Sequence, residues 1–417
     1  MNSYVKLNNF LTEYTERNTD NQYKPVAVGR YGIRTRESIY SKELAKDYSK
    51  NKVIGNNTLT VGMGSVQIDI GILTEDVKYS VSPAYHTYKI AGINPDYLRY
   101  CLECRNQDMF ERYVKRGSRQ GKTIDLGRWL TYEIPVCEAQ EQKEIVSKLD
   151  HVDSLITARR EQLAKLDELV KARFVELFGD PVVNEKGWDT KPLLEMGSCK
   201  NGMNFHYEDT GVEINCLGVG DFKDYSIILD TSILPTVSLN EMPSADYILQ
   251  DDDIVFVRSN GNKALVGRSV AVYPGDIPTT FSGFCIRYRK TDEAVNIPYL
   301  LRVLKAESVR QKMAGRGANI QNLNQQILGT LIIPVPPIEL QNQFAAFVEQ
   351  TDKSKLAIQQ SLGKLELLKK SLMQQYFDIP WDPTKSNVKD TQEDEYGYHI
   401  TIQCPECNRR YFINKEK

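Results

Sequence analysis

Residues 134–181 read IPVCEAQEQKEIVSKLDHVDSLITARREQLAKLDELVKARFVELFGDP, and residues 333–380 read IPVPPIELQNQFAAFVEQTDKSKLAIQQSLGKLELLKKSLMQQYFDIP. The two stretches align without a gap at a constant offset of 199 residues. A period of about 200 residues is too long for a solenoid repeat, so it predicts a duplicated module with approximate two-fold symmetry. The pairs of identical residues include Ile134/Ile333, Pro135/Pro334, Val136/Val335, Gln142/Gln341, Asp153/Asp352, Leu163/Leu362, Leu166/Leu365, Leu169/Leu368, Lys171/Lys370, Phe178/Phe377 and Pro181/Pro380.

Both stretches have the apolar spacing of a coiled-coil helix, in which steps of three and four residues alternate. A helix of about 40 residues is about 60 Å long at about 1.5 Å per residue, longer than most helices of globular proteins, and its apolar seam needs a partner. Because the chain runs module, helix, module, helix, we expect the second helix to return antiparallel to the first. The predicted coiled-coil and partner-binding residues are Ile145, Leu149, Val152, Ile156, Leu163, Leu166, Val348, Ile358, Leu362 and Leu365.

Polar residues interrupt this apolar seam in both copies. They are Arg159 and Arg173 in the first copy and Thr351, Lys355 and Lys369 in the second. Helices from an unrelated bundle core would have the same periodicity, but they would not touch each other along their length. Contact between the two helices therefore distinguishes these interpretations.

The regions outside the helices mix short apolar runs with Gly and Asn-Gly turns, which is typical of twisted, mostly antiparallel sheet. A short helix is predicted after Pro95 in the first module and after Pro298 in the second. The predicted fold class is α+β: two globular domains separated by an antiparallel coiled coil of two long helices, with a pseudo-two-fold internal repeat. The predicted boundaries are residues 1–134 for the first domain, 135–180 for the first helix, 181–333 for the second domain, 334–380 for the second helix and 381–417 for a tail.

Size and composition limit the function classes. A chain of 417 residues has room for two to four domains, and its net charge of −2 argues against a protein that coats nucleic acid without sequence preference. Any DNA binding must therefore use local basic patches. The polar first residues lack the apolar run of a signal peptide, and no stretch of 18 apolar residues occurs, so we expect a cytoplasmic protein without a membrane segment.

Basic residues and amides concentrate in three short segments that follow predicted helices or strands. We expect these segments to be loops, which can bring backbone and charge close to phosphates, while Arg, Asn and Gln can read base edges. A solvated charged surface is the alternative for any one of these residues. The candidate DNA-binding residues are Lys115, Arg116, Arg119 and Lys122 in the first module, and Arg258, Asn260, Asn262, Lys263, Arg316, Asn319 and Gln321 in the second.

Several motifs are similar to those of enzymes but differ in a decisive feature. Gly117-Ser-Arg-Gln-Gly-Lys-Thr123 has three residues between its glycines, whereas a phosphate-binding loop needs four. Asn94-Pro-Asp-Tyr97 and Asn296-Ile-Pro-Tyr299 each lack one proline of the Asn-Pro-Pro-Tyr motif of adenine methyltransferases, and we interpret both as helix starts. We therefore predict no catalytic residues.

Two Cys-x-x-Cys motifs have the spacing of zinc ligands. Cys101 and Cys104 fall on a predicted helix, where apolar packing of Cys101 is expected. Cys404 and Cys407 are a weak metal candidate, because they supply half of a tetrahedral site and need His399 or a second chain for the rest. We predict no metal.

Together these features resemble the specificity subunit of type I restriction–modification enzymes. The resemblance rests on the Ile-Pro-Val entries, on Gln142 and Gln341, on the paired helices, and on Leu177-Phe-Gly-Asp-Pro-Val followed by Lys186-Gly-Trp188. It covers about residues 1–380. Cys137 and Glu138 depart from the pattern, because the second copy has Pro336 and Pro337 at these positions.

This resemblance implies a phage-defence protein with two target-recognition domains. Each domain would bind one half of a bipartite double-stranded DNA target, and the helices would set the unread gap and dock two methyltransferase subunits. Restriction and translocase subunits would complete the complex. No cofactor is expected in this chain, whereas S-adenosylmethionine, ATP and Mg are expected in the partner subunits.

Two other function classes remain as alternatives. An autonomous methyltransferase or nuclease would transfer methyl groups or cut DNA as an isolated chain. A structural spacer without a DNA role would tolerate longer helices, whereas a recognition subunit would come to require a longer gap between its half-sites.

Overall fold

The computed structural model describes residues 3–30, 32–39, 47–117, 121–205, 209–222, 227–314, 322–377, 387–394, 397–403 and 410–416. The chain divides into two compact units. The first unit contains residues 1–159 and 361–417, and the second contains residues 160–360. Each unit thus combines one globular module with segments from both long helices.

In each half of the chain a run of strands precedes the helices. In chain order the helices are α1 (Pro95–Cys104), α2 (Asn106–Tyr113), α3 (Leu126–Trp129), α4 (Ala139–Phe178), α5 (Ile297–Lys305), α6 (Glu307–Ala314), α7 (Gln325–Gly329) and α8 (Ile338–Phe377). The strands are β1 (Ser3–Lys6), β2 (Leu11–Glu13), β3 (Val26–Gly29), β4 (Gly32–Thr35), β5 (Lys52–Ile54), β6 (Thr58–Met63), β7 (Ile68–Leu73), β8 (Tyr79–Val81), β9 (His86–Ile90), β10 (Val114–Gly117), β11 (Gly121–Ile124), β12 (Glu133–Val136), β13 (Thr190–Pro192), β14 (Gly197–Asn201), β15 (Val212–Leu217), β16 (Ile227–Ile228), β17 (Thr236–Leu239), β18 (Asp253–Val257), β19 (Ser269–Val272), β20 (Thr279–Phe281), β21 (Cys285–Lys290), β22 (Ile332–Pro334), β23 (Asn387–Asp394), β24 (Gly397–Gln403) and β25 (Arg410–Glu416).

The first unit is built on an antiparallel sheet in the order β2-β9-β6-β7. Two-stranded pairs β1-β12, β3-β4, β5-β8 and β10-β11 surround it, and β23, β24 and β25 form a separate antiparallel sheet. The sheet is covered by α1 and α2, whose buried side chains Tyr97, Leu98 and Met109 share a core with Leu59 and Val61 of β6.

The second unit contains a five-stranded sheet in the order β14-β21-β18-β19-β16 and a three-stranded sheet in the order β17-β15-β20. The prediction of mostly antiparallel sheet is confirmed, but β15 pairs with β20 and β16 pairs with β19 in parallel. All five residues of β18 are buried, because this strand lies in the centre of its sheet and is covered on both faces.

Both modules close in the same way around the Ile-Pro strand that precedes each long helix. In the first module β1 pairs antiparallel with β12, and Val5 lies opposite Ile134. In the second module β13 pairs antiparallel with β22, and Lys191 lies opposite Ile333. The first strand of each module is therefore held against the strand that leads into the helix.

A buried glutamine joins each module to its long helix. In the first unit the Asn94 backbone N–H donates to Oε1 of Gln142 at 2.9 Å, and the Tyr97 hydroxyl donates to the Pro135 carbonyl at 3.0 Å. In the second unit the Asn296 N–H donates to Oε1 of Gln341 at 3.0 Å. The two Asn-x-x-Tyr motifs are thus structural anchors.

Asn94 and Asn296 also cap the helices that follow them. The Asn94 side chain accepts from the backbone N–H groups of Asp96 and Tyr97, and Asn296 accepts from Tyr299. A proline in the first turn costs no hydrogen bond, because its missing N–H would have no helical partner there. The predicted helices are confirmed: α1 begins at Pro95, and α5 begins at Ile297, one residue before Pro298.

Within the first unit the two long helices are paired. Ile145 and Leu149 of α4 share a core with Met373 and Phe377 of α8. Further along, the Lys369 Nζ forms an ion pair with Asp153 at 2.9 Å. The partner number in α8 falls as the number in α4 rises, so the segments run antiparallel.

The second unit shows the same arrangement. The Lys355 Nζ forms an ion pair with Asp167 at 2.7 Å, and the Phe178 and Phe344 rings lie 5.6 Å apart. The fold class is therefore confirmed in each unit. The lysines that interrupt the apolar seam are partners in ion pairs between the helices.

Burial along the seam is uneven. Ile145, Leu149, Val152 and Ile156 are buried, whereas the remaining predicted seam residues are half-buried. These half-buried residues are Leu163, Leu166, Val348, Ile358, Leu362 and Leu365.

The ends of both helices are satisfied by nearby side chains. Gly179, with φ +75°, stops α4, and the Trp188 indole N–H donates to the Phe178 carbonyl at 3.1 Å. The buried Arg105 donates from Nη1 to the Phe377 carbonyl at 2.8 Å at the end of α8. In the part of the chain that the structure describes, no helix has the length and apolar character needed to span a bilayer.

We predict that Gln341→Ala destabilises the second unit. Gln341 is fully buried, and its Nε2 also donates to the Ala294 and Pro336 carbonyls at 2.9 and 2.8 Å. Its loss leaves buried backbone groups without partners, at a cost of about 3 kcal/mol. Urea unfolding should give a lower midpoint for Gln341→Ala than for Gln343→Ala, a change at an exposed position of the same helix. Equal midpoints would contradict the anchoring role.

Candidate nucleic-acid interface

The first predicted basic segment lies on a β-hairpin that follows α2. Strands β10 and β11 pair antiparallel, so Lys115 lies opposite Thr123 and Arg116 lies opposite Lys122. The prediction of a loop here is wrong, because the segment forms two paired strands. Gly121, with φ +76°, has a backbone conformation that a side chain would disfavour, and this lets β11 begin beside Gly117.

Two lysines of this hairpin are in different environments. The exposed Lys115 forms an ion pair with Asp125 at 2.7 Å. This hydrogen bond and charge hold the pKa of the Asp125 carboxyl below its ordinary value. Lys122 donates to the Ser65 carbonyl in the β6–β7 turn, and its Nζ lies 5.2 Å from the centre of the Phe110 ring. The hairpin is thereby fixed against the central sheet.

Arg116 is placed on β10, but its side chain lies outside the described part of the structure, as does all of Arg119. The described cations of the hairpin are therefore Lys115 and Lys122. Each strand of the hairpin thus carries one described cation, and Asp125 offsets the charge of Lys115.

The second predicted segment is a loop that leaves β18. The Arg258 backbone N–H donates to the Phe284 carbonyl at 2.7 Å, and the Arg258 carbonyl accepts from the Leu323 N–H at 2.8 Å. Its guanidinium makes a long contact of 3.4 Å with the Gly283 carbonyl. The backbone of Arg258 is thus fixed on both sides, and the half-buried side chain has one weak protein partner among the described residues.

The asparagines of this loop shape it. Asn260 Oδ1 accepts from the Asn262 N–H at 2.7 Å, and Asn262 Oδ1 accepts from the Ala264 N–H at 3.1 Å. Two successive turns of this type leave the side-chain NH2 groups as donors beyond the turn itself. The side chain of Lys263 lies outside the described part.

The third predicted segment, with Arg316, Asn319 and Gln321, lies outside the described residues. Leu323, which follows it closely, donates its backbone N–H to the Arg258 carbonyl. Leu323 therefore lies beside Arg258, the first residue of the second predicted segment. Arg310 of α6, which precedes the third segment, donates to the Val266 carbonyl at 3.2 Å and has a structural role.

Phe284, an aromatic residue beside this loop, was not among the residues predicted from sequence. Phe284 lies in the turn between β20 and β21, and 58% of its surface is exposed. The Phe284 carbonyl accepts from the Arg258 backbone N–H, so this exposed residue adjoins the basic loop. The signal was present in Ser282-Gly-Phe284, because a turn between two buried strands is an unusual place for a large apolar residue.

A second missed feature is a groove in the first unit of about 760 Å³ beside β4, β7 and α1. Arg30, Arg34 and Arg99 line it together with Glu75 and Glu103. Arg30 and Arg34 are exposed on the β3–β4 hairpin. The signal was present in the sequence, because residues 30–36 read RYGIRTR and contain three arginines.

The enzyme-like motifs have structural roles where they are described. Gly117 and Gly121 lie opposite each other in the β10–β11 hairpin, and Cys101 is buried on α1, where burial raises the pKa of its thiol. Cys404 and Cys407 lie outside the described residues. Within the described ranges, no group of three or more His, Cys, Asp or Glu side chains has the arrangement of a metal site.

Comparison with known proteins gives a consistent result. The family model for the type I restriction modification DNA specificity domain matches the chain twice, at residues 5–168 and 185–370. The StySPI specificity subunit of Salmonella potsdam is 26% identical in an alignment of 269 positions that covers 58% of this chain and 56% of that protein. The MjaVIII specificity subunit of Methanocaldococcus jannaschii is 23% identical in an alignment of 262 positions that covers 58% of this chain and 60% of that protein. These matches span less than two thirds of either relative's length.

Two solved structures are similar in fold. The crystal structure of the type I restriction–modification S subunit from M. genitalium has a TM-score of 0.52 at 15% identity, covering 90% of this chain and 96% of that one. A structure described as the basis of complex assembly and conformational transition of the type I system gives the same TM-score and identity, with coverage of 90% and 97%. At this identity the likeness concerns the fold alone.

We predict that Asp125→Asn tightens non-specific binding of duplex DNA. Asn keeps the cap that Asp125 gives α3 through the Arg128 N–H, but it releases the charge of Lys115. The affinity should rise by about two- to threefold at low salt, with a steeper salt dependence. Fluorescence anisotropy with a labelled duplex over a range of KCl concentrations measures both.

Asp230→Asn is the matched control, since Asp230 is also an exposed capping aspartate, whose Oδ1 accepts from the Ser232 N–H. An equal gain in this control would mean that the effect is one of net charge, and the hairpin would lose its assigned role.

Proposed function

We propose, because this chain belongs to the family of type I restriction–modification DNA specificity domains, that it is the DNA-recognition subunit of such a system. Each globular module would read one half of a bipartite double-stranded target. The two long helices, each of which contributes residues to both units, would set the gap between the halves. Catalysis would belong to other subunits, so this chain would bind without reacting.

One observation carries this proposal: the specificity-domain model matches twice, and the chain divides into two compact units of the same plan. Both units contain the entry strand, the Asn-x-x-Tyr anchor and the buried glutamine. Their exposed loops differ. A common frame with different exposed loops suits a protein that binds two different half-sites.

We propose that base reading involves the Arg258 loop in the second unit and the β10–β11 hairpin in the first. A two-stranded ribbon fits the major groove, and Arg, Asn and Gln side chains recognise base edges there. Lys115 and Lys122 would contact phosphates and fix the register. Phe284 could stack on a base or open a base step, because its ring is exposed beside Arg258.

The partners of the complete system are also part of the proposal. Two methyltransferase subunits would dock on the helices, and restriction and translocase subunits would join them. S-adenosylmethionine, ATP and Mg would be bound by these partners and not by this chain, which would act in the cytoplasm.

Exposed leucines on the long helices support docking. Leu356 of α8 and Leu169 of α4 are exposed in the second unit, and Leu367 and Leu368 of α8 are exposed in the first. Single exposed leucines are common, but several on one pair of helices favour an interface with another protein.

Methylation mapping tests the proposal most directly. Genomic DNA from cells that carry the complete system should contain one methylated motif with two short specific halves and a gap that tolerates any base. A single uninterrupted motif would sink the two-module interpretation. Methyl transfer by the isolated chain would favour the alternative of an autonomous enzyme.

We predict that longer helices require a longer gap. Three heptads inserted after Arg159 and three after Gln360 add about 31 Å to each helix at about 1.5 Å per residue. This is close to one turn of duplex, about 34 Å, so the preferred gap should grow by about nine base pairs while both modules stay on one face. Binding to a set of targets with graded gaps measures the change, and the parent chain is the control. An unchanged optimum would contradict the role of the helices as a spacer.

We predict that changes in the Arg258 loop affect one half-site only. Arg258→Gln should relax discrimination at one base pair by about 1–3 kcal/mol and leave the other half-site unaffected. Phe284→Ala should weaken binding of the whole target by about tenfold, since one stacked base contributes about 1–3 kcal/mol.

Competition binding with single-base variants of the target separates these effects. Leu229→Ala is the control, because Leu229 is an exposed apolar residue of the same unit and no contact ties it to the Arg258 loop among the described residues. If Arg258→Gln relaxed both halves equally, the assignment of one module to one half would be wrong.

A further inference from the structure

A cavity of about 200 Å³ lies within the second unit, between α5 and the adjacent segments of α4 and α8. Its apolar wall comes from Val170, Leu301, Phe344 and Val348. Charged side chains complete the lining. They are Asp167 and Lys171 of α4, Arg302 and Lys305 of α5, and Asp352 and Lys355 of α8.

The charges of this cavity do not balance. Four cations face two carboxylates, and Lys355 binds both of them, Asp167 at 2.7 Å and Asp352 at 3.2 Å. Among the described residues, no carboxylate lies within ion-pair distance of Lys305 or Arg302. Lys305 and Arg302 therefore lie at the cavity without an ion-pair partner among the described residues.

Burial lowers the pKa of both cations. Desolvation first, and then the neighbouring Arg302, lower the pKa of Lys305 to about 8, although Asp352 acts in the opposite direction. Desolvation also lowers the pKa of Arg302. The position of both residues in the last turn of α5 gives them a favourable interaction with the helix dipole, but it does not supply a charge to neutralise them.

The first unit provides an internal comparison. Tyr100 and Glu103 lie three and six residues after Tyr97, as Arg302 and Lys305 do after Tyr299. The Tyr100 hydroxyl donates to Asp150 and Asp153 at 2.7 and 3.0 Å, and Lys369 lies 2.9 Å from Asp153 and 3.6 Å from Glu103. The polar groups of the first copy satisfy one another, and the second copy lacks such a closed network among the residues that the structure describes.

We propose that this cavity binds a small amphipathic organic anion, with its carboxylate on Lys305 and Arg302 and a short apolar chain against Val170, Leu301, Phe344 and Val348. A bound anion supplies the counter-charge that the protein lacks. It also bridges α5 and both long-helix segments, so it stabilises the second unit by an amount that rises with the logarithm of its concentration above Kd. Binding at this cavity requires no DNA and is independent of the proposed recognition function.

The test is titration calorimetry of the full chain with hexanoate, compared with hexylammonium and inorganic phosphate. Hexanoate should bind saturably and raise the unfolding temperature, whereas hexylammonium should do neither. Phosphate should bind at least about tenfold more weakly, because it gains nothing from the apolar wall. Equal binding of phosphate and hexanoate, or of hexylammonium and hexanoate, would overturn the assignment.

Two further measurements locate the site. Lys305→Gln should weaken hexanoate binding by about tenfold, as expected for the loss of one charge-assisted hydrogen bond. Lys353→Gln, the same change at an exposed lysine of α8 outside the cavity, should leave it unaffected. Equal affinity of Lys305→Gln and the parent chain would overturn the proposal.

Proton uptake provides a readout that needs no variant. A bound carboxylate favours the charged form of Lys305, so at pH 8 to 9 binding should take up protons, and affinity should fall as the pH rises further. The other charged groups that line the cavity are Arg302 on α5, Asp167 and Lys171 on α4, and Asp352 and Lys355 on α8. Titrations in buffers of different ionisation enthalpy measure the uptake, and binding without it would contradict the role of Lys305.

Discussion

The structure depends on the fact that a 40-residue helix needs apolar cover along its whole length. Each unit supplies that cover for part of α4 and part of α8, so the long helices are components of the two cores. Ile145 and Leu149 share a core with Phe377 in the first unit, and Phe174 and Phe178 pack on Phe344 in the second. Neither core is complete without segments from both helices. Folding of a module and pairing of its helical segments are therefore one event, and a module cannot rotate on its own helices without exposing its core.

The duplication retains the contacts that hold the frame and varies the residues around them. The asparagine, tyrosine and glutamine anchors are identical in both units, down to hydrogen-bond lengths of 2.9 to 3.0 Å. Three residues beyond the tyrosine, however, the first unit has Tyr100 and the second has Arg302. Six residues beyond it, the first unit has Glu103 and the second has Lys305. The ion pairs between the helices differ too, since Lys369 is paired in one unit and Lys355 in the other. Anchors to backbone groups leave side chains elsewhere free to change, because the position of the backbone no longer depends on them.

Sequence patterns predicted what is repeated and local. The predicted first helix, residues 135–180, extends four residues before α4 and two residues beyond it, and the prolines placed the starts of α1 and α5 to within one residue, because these signals act within a few residues. The patterns gave less about the candidate interface. The prediction of a loop in place of the β10–β11 hairpin was wrong, because both strands are short and mostly polar and no alternation of apolar residues marks them. Phe284 and the Arg30 and Arg34 hairpin were missed, because exposure depends on which elements meet in space. The ion pairs of Lys355 and Lys369 in the seam were not predicted, because their aspartate partners are distant in sequence.

The small net charge and the proposed DNA recognition are compatible for a physical reason. Many cations of this chain already have protein partners, such as Lys115 with Asp125, Lys355 with Asp167, and Arg289 with the buried Asp253. Paired cations release few counter-ions, so they contribute little to non-specific affinity. The directional donors of the Arg258 loop and the β10–β11 hairpin, which we propose read the bases, suit discrimination between sequences better than non-specific attraction of DNA. We therefore expect specificity to reside in this chain and most of the affinity to come from subunits that add positive charge around the same duplex.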